Sequence, residues 1–380
     1  MFVLEALDAK HGDCLLLRWG DDRAPRLMVV DGGPSGVFGA SLKPRLEAVH
    51  GERSGTDPLT IDLVMVSHID DDHIHGVLDL TRYLLDLKTE RRPLPWQVVT
   101  LWHNSFDDLV GNAAPLAAAL EPAVRAVSTG GPLPAGLPLD RPSALVVASV
   151  GQGRDLRDDA RGLGLEVNTP WGKLVWAPKD GRRTHALAGG LKLTVLGPLQ
   201  AQVGALQQEW DKTLEEMRRK SPAEAQAVAA AFVDGSVYNL SSLVVLASRG
   251  KWRMLLTGDA RGDFILQGLE AAGLLRNGAI HVDLLKVPHH GSDRNVTTEF
   301  FQRVTADHYV ISADGRFGNP DPQMLAMLTE ARGQAQYAIH LTNKDARTEQ
   351  FFTKDHASGR RYEVIYRAED SRSVSVALGP

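Results

Sequence analysis

The sequence predicts an α/β fold, on three observations. Short apolar runs closed by glycine, proline or aspartate recur through the first and last thirds of the chain, as buried strands do. Amphipathic helical patterns stand between them: Val77, Leu80, Leu84 and Leu87 are spaced to fall on one helix face. Two of the strand-like runs stop abruptly at polar clusters, and α/β folds place their chemistry at strand ends.

In chain order, residues 15–17 and 27–30 read as strands, the second closed by Asp31-Gly32-Gly33-Pro34. Residues 61–66 read as a buried strand that leads through a polar loop into the helical pattern above. Residues 98–102 read as a further strand. From about residue 104 to 235 the pattern weakens, with 144–150, 173–177 and 191–196 as short apolar pieces suited to strands between turns. Leu206, Trp210, Leu214 and Met217 then mark a helix. Ser221-Pro222-Ala223-Glu224 opens another, with proline at the first helical position and glutamate three residues after the cap. A helical insertion over about 203–233 follows from these two. The last third resumes strand-like runs at 243–247, 254–256, 284–287 and 309–311.

Composition sets the outer bounds. A length of 380 residues suggests two or three domains at about 150 residues each. With 43% hydrophobic and 23% charged residues, the chain has a soluble globular composition and is not a disordered one. Lys and Arg number 42 against 47 Asp and Glu, so the net charge of −5 supplies no overall basic footprint for nucleic acid. One cysteine, Cys14, excludes an internal disulfide and any multi-cysteine zinc site, which leaves thirteen histidines and the carboxylates to build a metal centre. The first residues do not read as a signal peptide and no apolar run approaches the roughly 20 residues of a membrane span. A cytoplasmic protein without a membrane partner is expected, its oligomeric state open.

Three clusters carry chemistry. In Ser67-His68-Ile69-Asp70-Asp71-Asp72-His73-Ile74-His75-Gly76, the groups His68, Asp70, Asp72 and His73 fall within six residues between a strand and a helix. Mixed imidazole and carboxylate donors suit zinc, manganese or iron, although a solvated loop at a helix N-terminus also welcomes aspartate. Thr257-Gly258-Asp259 places one carboxylate after an apolar strand, where it can bridge two cations or simply turn the chain. Lys286-Val287-Pro288-His289-His290-Gly291-Ser292 ends a third strand with adjacent histidines that point different ways, one able to ligate while the other faces a substrate.

Taken together, HxDxDHxxG, LLTGDA and KVPHHGS in that order resemble the metallo-β-lactamase superfamily, and within it the branch containing the extracellular nuclease domain of the DNA-uptake protein ComEC. His11-Gly12-Asp13-Cys14-Leu15 followed by Val30-Asp31-Gly32-Gly33 is similar to the opening of that branch. The stretch from Val237 to Val244 is similar to its N-x-x-S strand, and Phe317-Gly318-Asn319-Pro320 to a late loop. The resemblance runs from about residue 3 to 345 and is loose over 104–235. It departs from the family in four places, one of them a middle histidine with no clear match. Asp70 stands where a second histidine is usual, which favours a harder cation such as manganese. His75 replaces a glycine, as a polar group at the site rim or an exposed first-turn histidine. Asn319 replaces the late histidine.

What the resemblance implies is a single four-layer αββα domain spanning 1–380, because ligands at 68–73, 259 and 290 must converge. His68 and Asp70 would hold a first divalent cation, Asp72, His73 and His290 a second, and Asp259 would bridge them. The cations are expected to be Zn or Mn. The middle ligand has no clear match: Asn239 lies nearest in register, with His103 and His185 as outsiders. Asp31 is expected to orient a ligand from behind. A hydroxide between the cations would be the nucleophile, with Asp72 and His289 as catalytic groups, the latter contacting a phosphoryl oxygen or protonating the leaving group. Lys286, Ser292 and Asn319 are expected to bind substrate, Lys286 otherwise being a solvated strand-end lysine. The implied activity is a dinuclear phosphodiesterase or nuclease acting on DNA, RNA or a nucleotide-sized diester. A carboxylic ester, lactone or amide hydrolase, or a weakly active interaction protein, is the alternative on the same fold.

Overall fold

The computed structural model describes residues 1–52, 57–109, 115, 119, 141–221, 223–229, 232 and 242–379. The first half runs β1 (Phe2–Leu7), β2 (Leu15–Asp21), β3 (Ala24–Val30), α1 (Lys43–Gly51), β4 (Leu59–Met65), α2 (Asp71–Thr89), β5 (Trp96–Trp102), α3 (Phe106–Leu109), α4 (Arg141–Leu163) and β6 (Glu166–Val167). There follow β7 (Arg183–Leu187), β8 (Leu191–Gly197), α5 (Gln200–Arg218), β9 (Val244–Arg249), β10 (Trp252–Leu256), α6 (Gly262–Ala271) and β11 (Ile280–Lys286). The chain closes with α7 (Thr298–Arg303), β12 (Val304–Ile311), α8 (Pro322–Arg332), β13 (Ala338–Leu341), α9 (Ala346–Ala357), β14 (Glu363–Tyr366) and β15 (Ser373–Ala377).

The strands form two mixed sheets, ordered β15-β1-β2-β3-β4-β5-β6 and β14-β13-β12-β11-β10-β9-β8-β7. Each starts as an antiparallel meander and turns parallel where helices begin to cross over: β3 to β4 and β5 in one, β10 to β11 and β12 in the other. Alternation along the strands sorts the core. In β2, Leu15, Leu17 and Trp19 enter the apolar layer between the sheets, where Val245, Ala247, Met254 and Leu284 lie, while Leu16 faces the helices outside. In β9, Val244 and Leu246 face the outer helices of the second sheet. The result is the four-layer αββα sandwich expected from the sequence.

α2 buries Val77, Leu80, Leu84 and Leu87, the face that the spacing marks out. Two expected strands are absent. Residues 144–150 lie inside α4, and 173–177 contribute only a single bridge, Ala177 to Leu199. The helix continues to Leu156 and Ala160, four apart and buried against the α2 layer, with Thr81 Oγ1 donating to Asp159 at 2.7 Å. A seven-residue apolar run suits a strand or a buried helix equally; it was the continuation that decided. α5 and the helical residues 223–229 occupy much of the expected insertion. Leu206, Trp210, Leu214, Met217 and Ala229 pack into the outer core of the first sheet. No described helix is long and apolar enough to cross a membrane.

Candidate metal centre

Each candidate group hangs from the end of a strand. β3 runs into Asp31, β4 into Ser67-His68 and the N-terminus of α2, β10 into Thr257-Gly258-Asp259, and β11 into the turn Pro288–Gly291. Backbone contacts tie these strand ends together, the first of them across the two sheets and the others within one sheet. Leu243 N–H donates to Ser67 O at 2.7 Å, His289 N–H to Gly258 O at 3.1 Å, and Asp13 N–H to Asp72 O at 3.2 Å. In the turn both His289 and His290 adopt left-handed backbone, with φ of 48° and 54°, a conformation that costs non-glycine residues energy and persists only where surroundings impose it. Its effect is to splay adjacent rings: His290 is buried, while His289 stays 30% exposed in its side chain.

The hydrogen bonds fix which nitrogen of each ring carries its proton. His73 Nδ1 lies 2.9 Å from Asp31 Oδ2, a carboxylate that can only accept. His290 Nδ1 lies 3.0 Å from the Ser312 carbonyl. Ser67 Oγ donates to Asp31 Oδ2 at 2.7 Å and so can accept from His68 Nδ1 at 3.1 Å. In each neutral ring the N–H therefore points outward, and Nε2 faces inward as the atom that can offer a lone pair. His73 Nε2 and His290 Nε2 stand 3.2 Å apart, too close for two lone pairs without something positive to share. His68 Nε2, Asp70 Oδ1 and Asp259 Oδ1 are buried with no hydrogen-bond partner, an expensive state unless a cation is the intended partner.

Asp259 stands among them. Its carboxylate lies 3.3 Å from His73 Nε2, 3.5 Å from His290 Nε2 and 3.8 Å from His68 Nε2. Asp70 Oδ2 lies 3.3 Å from His68 Nε2, and Asp72 Oδ2 lies 3.4 Å from His290 Nε2. Donors about 2.0–2.1 Å from one tetrahedral ion would be about 3.3 Å from each other. The spacing and the chemistry of this donor set fit divalent cations.

The field agrees. Burial opposes charge on His73, but Asp259, Asp72 and Asp31 outweigh it and hold the imidazole well above the usual histidine range. Burial is likewise overcome at His290 by Asp259 and Asp13, and its pKa is also raised well above that range. His68 is raised as well, against burial and the neighbouring His73, by Asp70 and Asp259. Asp259 and Asp72 are held low despite burial, chiefly by His290 and His73 respectively. The carboxylates are thus ionised and draw positive charge inward.

Other expected residues fall around this cluster. Asp31 accepts from Ser67 N at 2.6 Å as well as from the Ser67 hydroxyl, and so orients His73 and, through that hydroxyl, His68. His75 is half-buried in the first turn of α2, 2.9 Å from Asp71 Oδ1, which also accepts from Gln152 at 2.6 Å. His103 is buried, its Nε2 3.2 Å from Gly153 O, and His185 packs on Trp102 and Trp171. Asn239 lies outside the described residues.

One expectation for substrate binding is corrected, and a second residue lies deeper than a rim position. Lys286 does not reach solvent: it is fully buried, with Nζ 2.6 Å from Asp13 Oδ2, because a charge on an interior strand needs a partner. Ser292 is buried too, its hydroxyl oxygen accepting from Arg294 N at 3.4 Å.

Asp13 was missed by sequence reasoning, although its motif was noted. Asp13, His73, Asp259 and His290 each offer a ligand atom within 4.8 Å of the others. With one oxygen on Lys286 and the other 3.3 Å from His290 Nδ1, Asp13 stands behind the ring. Asn295 was missed as well. Its Nδ2 donates to the Asp259 carbonyl at 2.9 Å, so its Oδ1 must be the atom 2.7 Å from His289 Nδ1. Neutral His289 therefore turns a lone pair on Nε2 toward Asp259, 3.5 Å away; donation from Nε2 to a leaving group requires the imidazolium.

A cleft of about 130 Å³ opens onto the cluster, lined by His11, Asp72, His289, His290, Arg316, Phe317 and Asn319 among others.

Comparison with known proteins adds local likeness. No family model matches the chain. Over 125 residues it is 27% identical to human microtubule-associated protein 1A, a stretch covering 32% of this chain and 4% of that protein. Over 100 residues it is 29% identical to the rat protein of the same name, covering 25% and 4%. The chain thus spans about 4% of the length of these curated relatives. Among solved structures it is similar to the metallo-beta-lactamase fold protein YhfI from Bacillus subtilis, with a TM-score of 0.42 and 10% identity over 99% of both chains.

Proposed function

We propose that this protein is a metal-dependent hydrolase of the metallo-β-lactamase type, and that its substrate is a phosphodiester such as DNA, RNA or a nucleotide-sized diester. The observation that carries the reading is the convergence of three Nε2 atoms on the Asp259 carboxylate, the Nδ1 of each ring being hydrogen-bonded on the far side. His68 and Asp70 would hold one cation, Asp72, His73 and His290 the other, with Asp259 between them. Bound there, Zn or Mn would supply Lewis-acid stabilisation of phosphoryl oxygens and a nucleophilic water near neutral pH.

The chain's own residues supply position and charge. Asp31 and the Ser312 carbonyl hold His73 and His290 in the ligating tautomer. Asn295 does the same for His289, which faces the cleft and can meet an anionic oxygen when protonated. Arg316 and Asn319 stand on the cleft wall, where they would be available to the ester's other oxygens.

The test is turnover of bis(p-nitrophenyl) phosphate and of plasmid DNA with Mn²⁺ or Zn²⁺, beside the Asp72→Asn and His290→Ala variants. Both variants should lose at least about a hundredfold in kcat/KM, as removal of a ligand does. Activity surviving both substitutions overturns the assignment, and turnover of a lactone without the diester moves it to carboxylic esters.

A further inference from the structure

The cleft is small. At about 130 Å³ it falls well below the roughly 300–1,000 Å³ of pockets that enclose a whole drug-sized ligand. It can seat the reacting group, and the remainder of a substrate must lie on the rim.

The rim carries an unusual group. Among the described residues three large apolar side chains are more than a third exposed, and Phe317, at 67%, is the most exposed of them. It lines the cleft that holds Asp72, His289 and His290. The Arg316 guanidinium lies 5.5 Å from its ring centroid, and the His11 ring meets it edge-on at 5.0 Å. No carboxylate pairs with the Arg316 guanidinium among the described residues. Nor is this a loose loop. Arg347 donates to Gly315 O at 3.0 Å, and Asp321 N–H donates to Gly291 O at 2.9 Å, which ties the loop to the turn that presents His290. Exposing an aromatic ring forgoes the stabilisation that its burial would give. A held ring with an open surface and a cation beside it matches a flat, electron-rich group attached to an anion.

We infer that Phe317, with Arg316, is a stacking platform for the nucleobase of a substrate whose phosphate enters the cleft. The inference rests on the phosphodiester reading of the same site and adds to it the side chains that would meet the base. Every base has a π-face, so the platform selects for a base without selecting its sequence.

Calorimetric titration of the Mn²⁺-loaded protein with adenosine 5′-monophosphate and with ribose 5-phosphate tests it, the two probes sharing an anion and differing by the base. The wild type should bind the nucleotide at least about tenfold more tightly, in line with stacking on one aromatic ring. Phe317→Ala should erase that preference and leave ribose 5-phosphate within about twofold of wild type, while Phe317→Trp should keep it. Equal affinities in the wild type, equal losses for both probes in Phe317→Ala, or binding of neither probe each overturn the inference. A preference for the nucleotide in a protein that hydrolyses no diester would leave the platform standing and remove the hydrolase.

Discussion

Between His73 or His290 and a cation stands a proton. Both rings are raised well above the usual histidine range by surrounding carboxylates, so a proton competes with a metal for the inward-facing nitrogens. Asp259 and Asp72 are held low and are already ionised at neutral pH, so they add no pH dependence in this range. Metal binding must therefore expel protons from the imidazoles, and affinity should climb from pH 6 to pH 8 by about tenfold per unit for each proton released. Titration against a chelating dye at three pH values reads the slope, and a flat affinity would contradict it. At this scale the sequence was legible where chemistry is local. His68, Asp70, Asp72 and His73 share one loop, and their spacing alone marks them. The Lys286–Asp13 pair was not legible, because nothing near Lys286 in the chain shows that a carboxylate from the first loop lies opposite. The role of Asn295 depends in the same way on a partner brought by folding.

At the scale of elements, the start of α2 is pressed against the loop after β3. A Cβ on Gly76 would meet Gly32 O at 2.0 Å, and one on Gly32 would meet Val77 N at 2.3 Å. Backbone bonds close the contact, Gly32 N–H donating to His73 O at 2.7 Å and Gly76 N–H to Gly33 O at 2.9 Å. This close approach sets the height at which Asp72 and His73 enter the site. Gly76→Ala should push the helix away and weaken metal affinity by about tenfold or more, with helix content by circular dichroism unchanged; unchanged affinity would show that the contact is incidental. Long elements with clear periodicity, such as α2, were legible in advance. The run 144–150 was not, since length and apolarity leave strand and helix open until the packing partner is known. β15 was missed for a related reason: Val374 and Val376 alternate over only five residues, and their burial comes from pairing with β1 at the other end of the chain.

Across the whole molecule, length suggested two or three domains, while the donors come from both sheets: His68, Asp70, Asp72 and His73 follow β4, Asp259 follows β10 and His290 follows β11. Neither sheet carries the set alone. The position of one half of the donors relative to the other is set by the apolar layer between the sheets, where Leu63 and Met65 of β4 lie in the same cluster as Met254 of β10 and Leu284 of β11. The metal centre is thereby a gauge of that layer. Leu63→Ala should cost about 2–5 kcal/mol of stability, and because the sheets shift before they come apart, loss of metal affinity should precede loss of secondary structure as temperature rises. Added Mn²⁺ should in turn raise the melting temperature of wild type more than that of the variant. Occupancy of the centre, followed by a bound-metal signal, would then report how well two surfaces that themselves hold no ligand are fitted together.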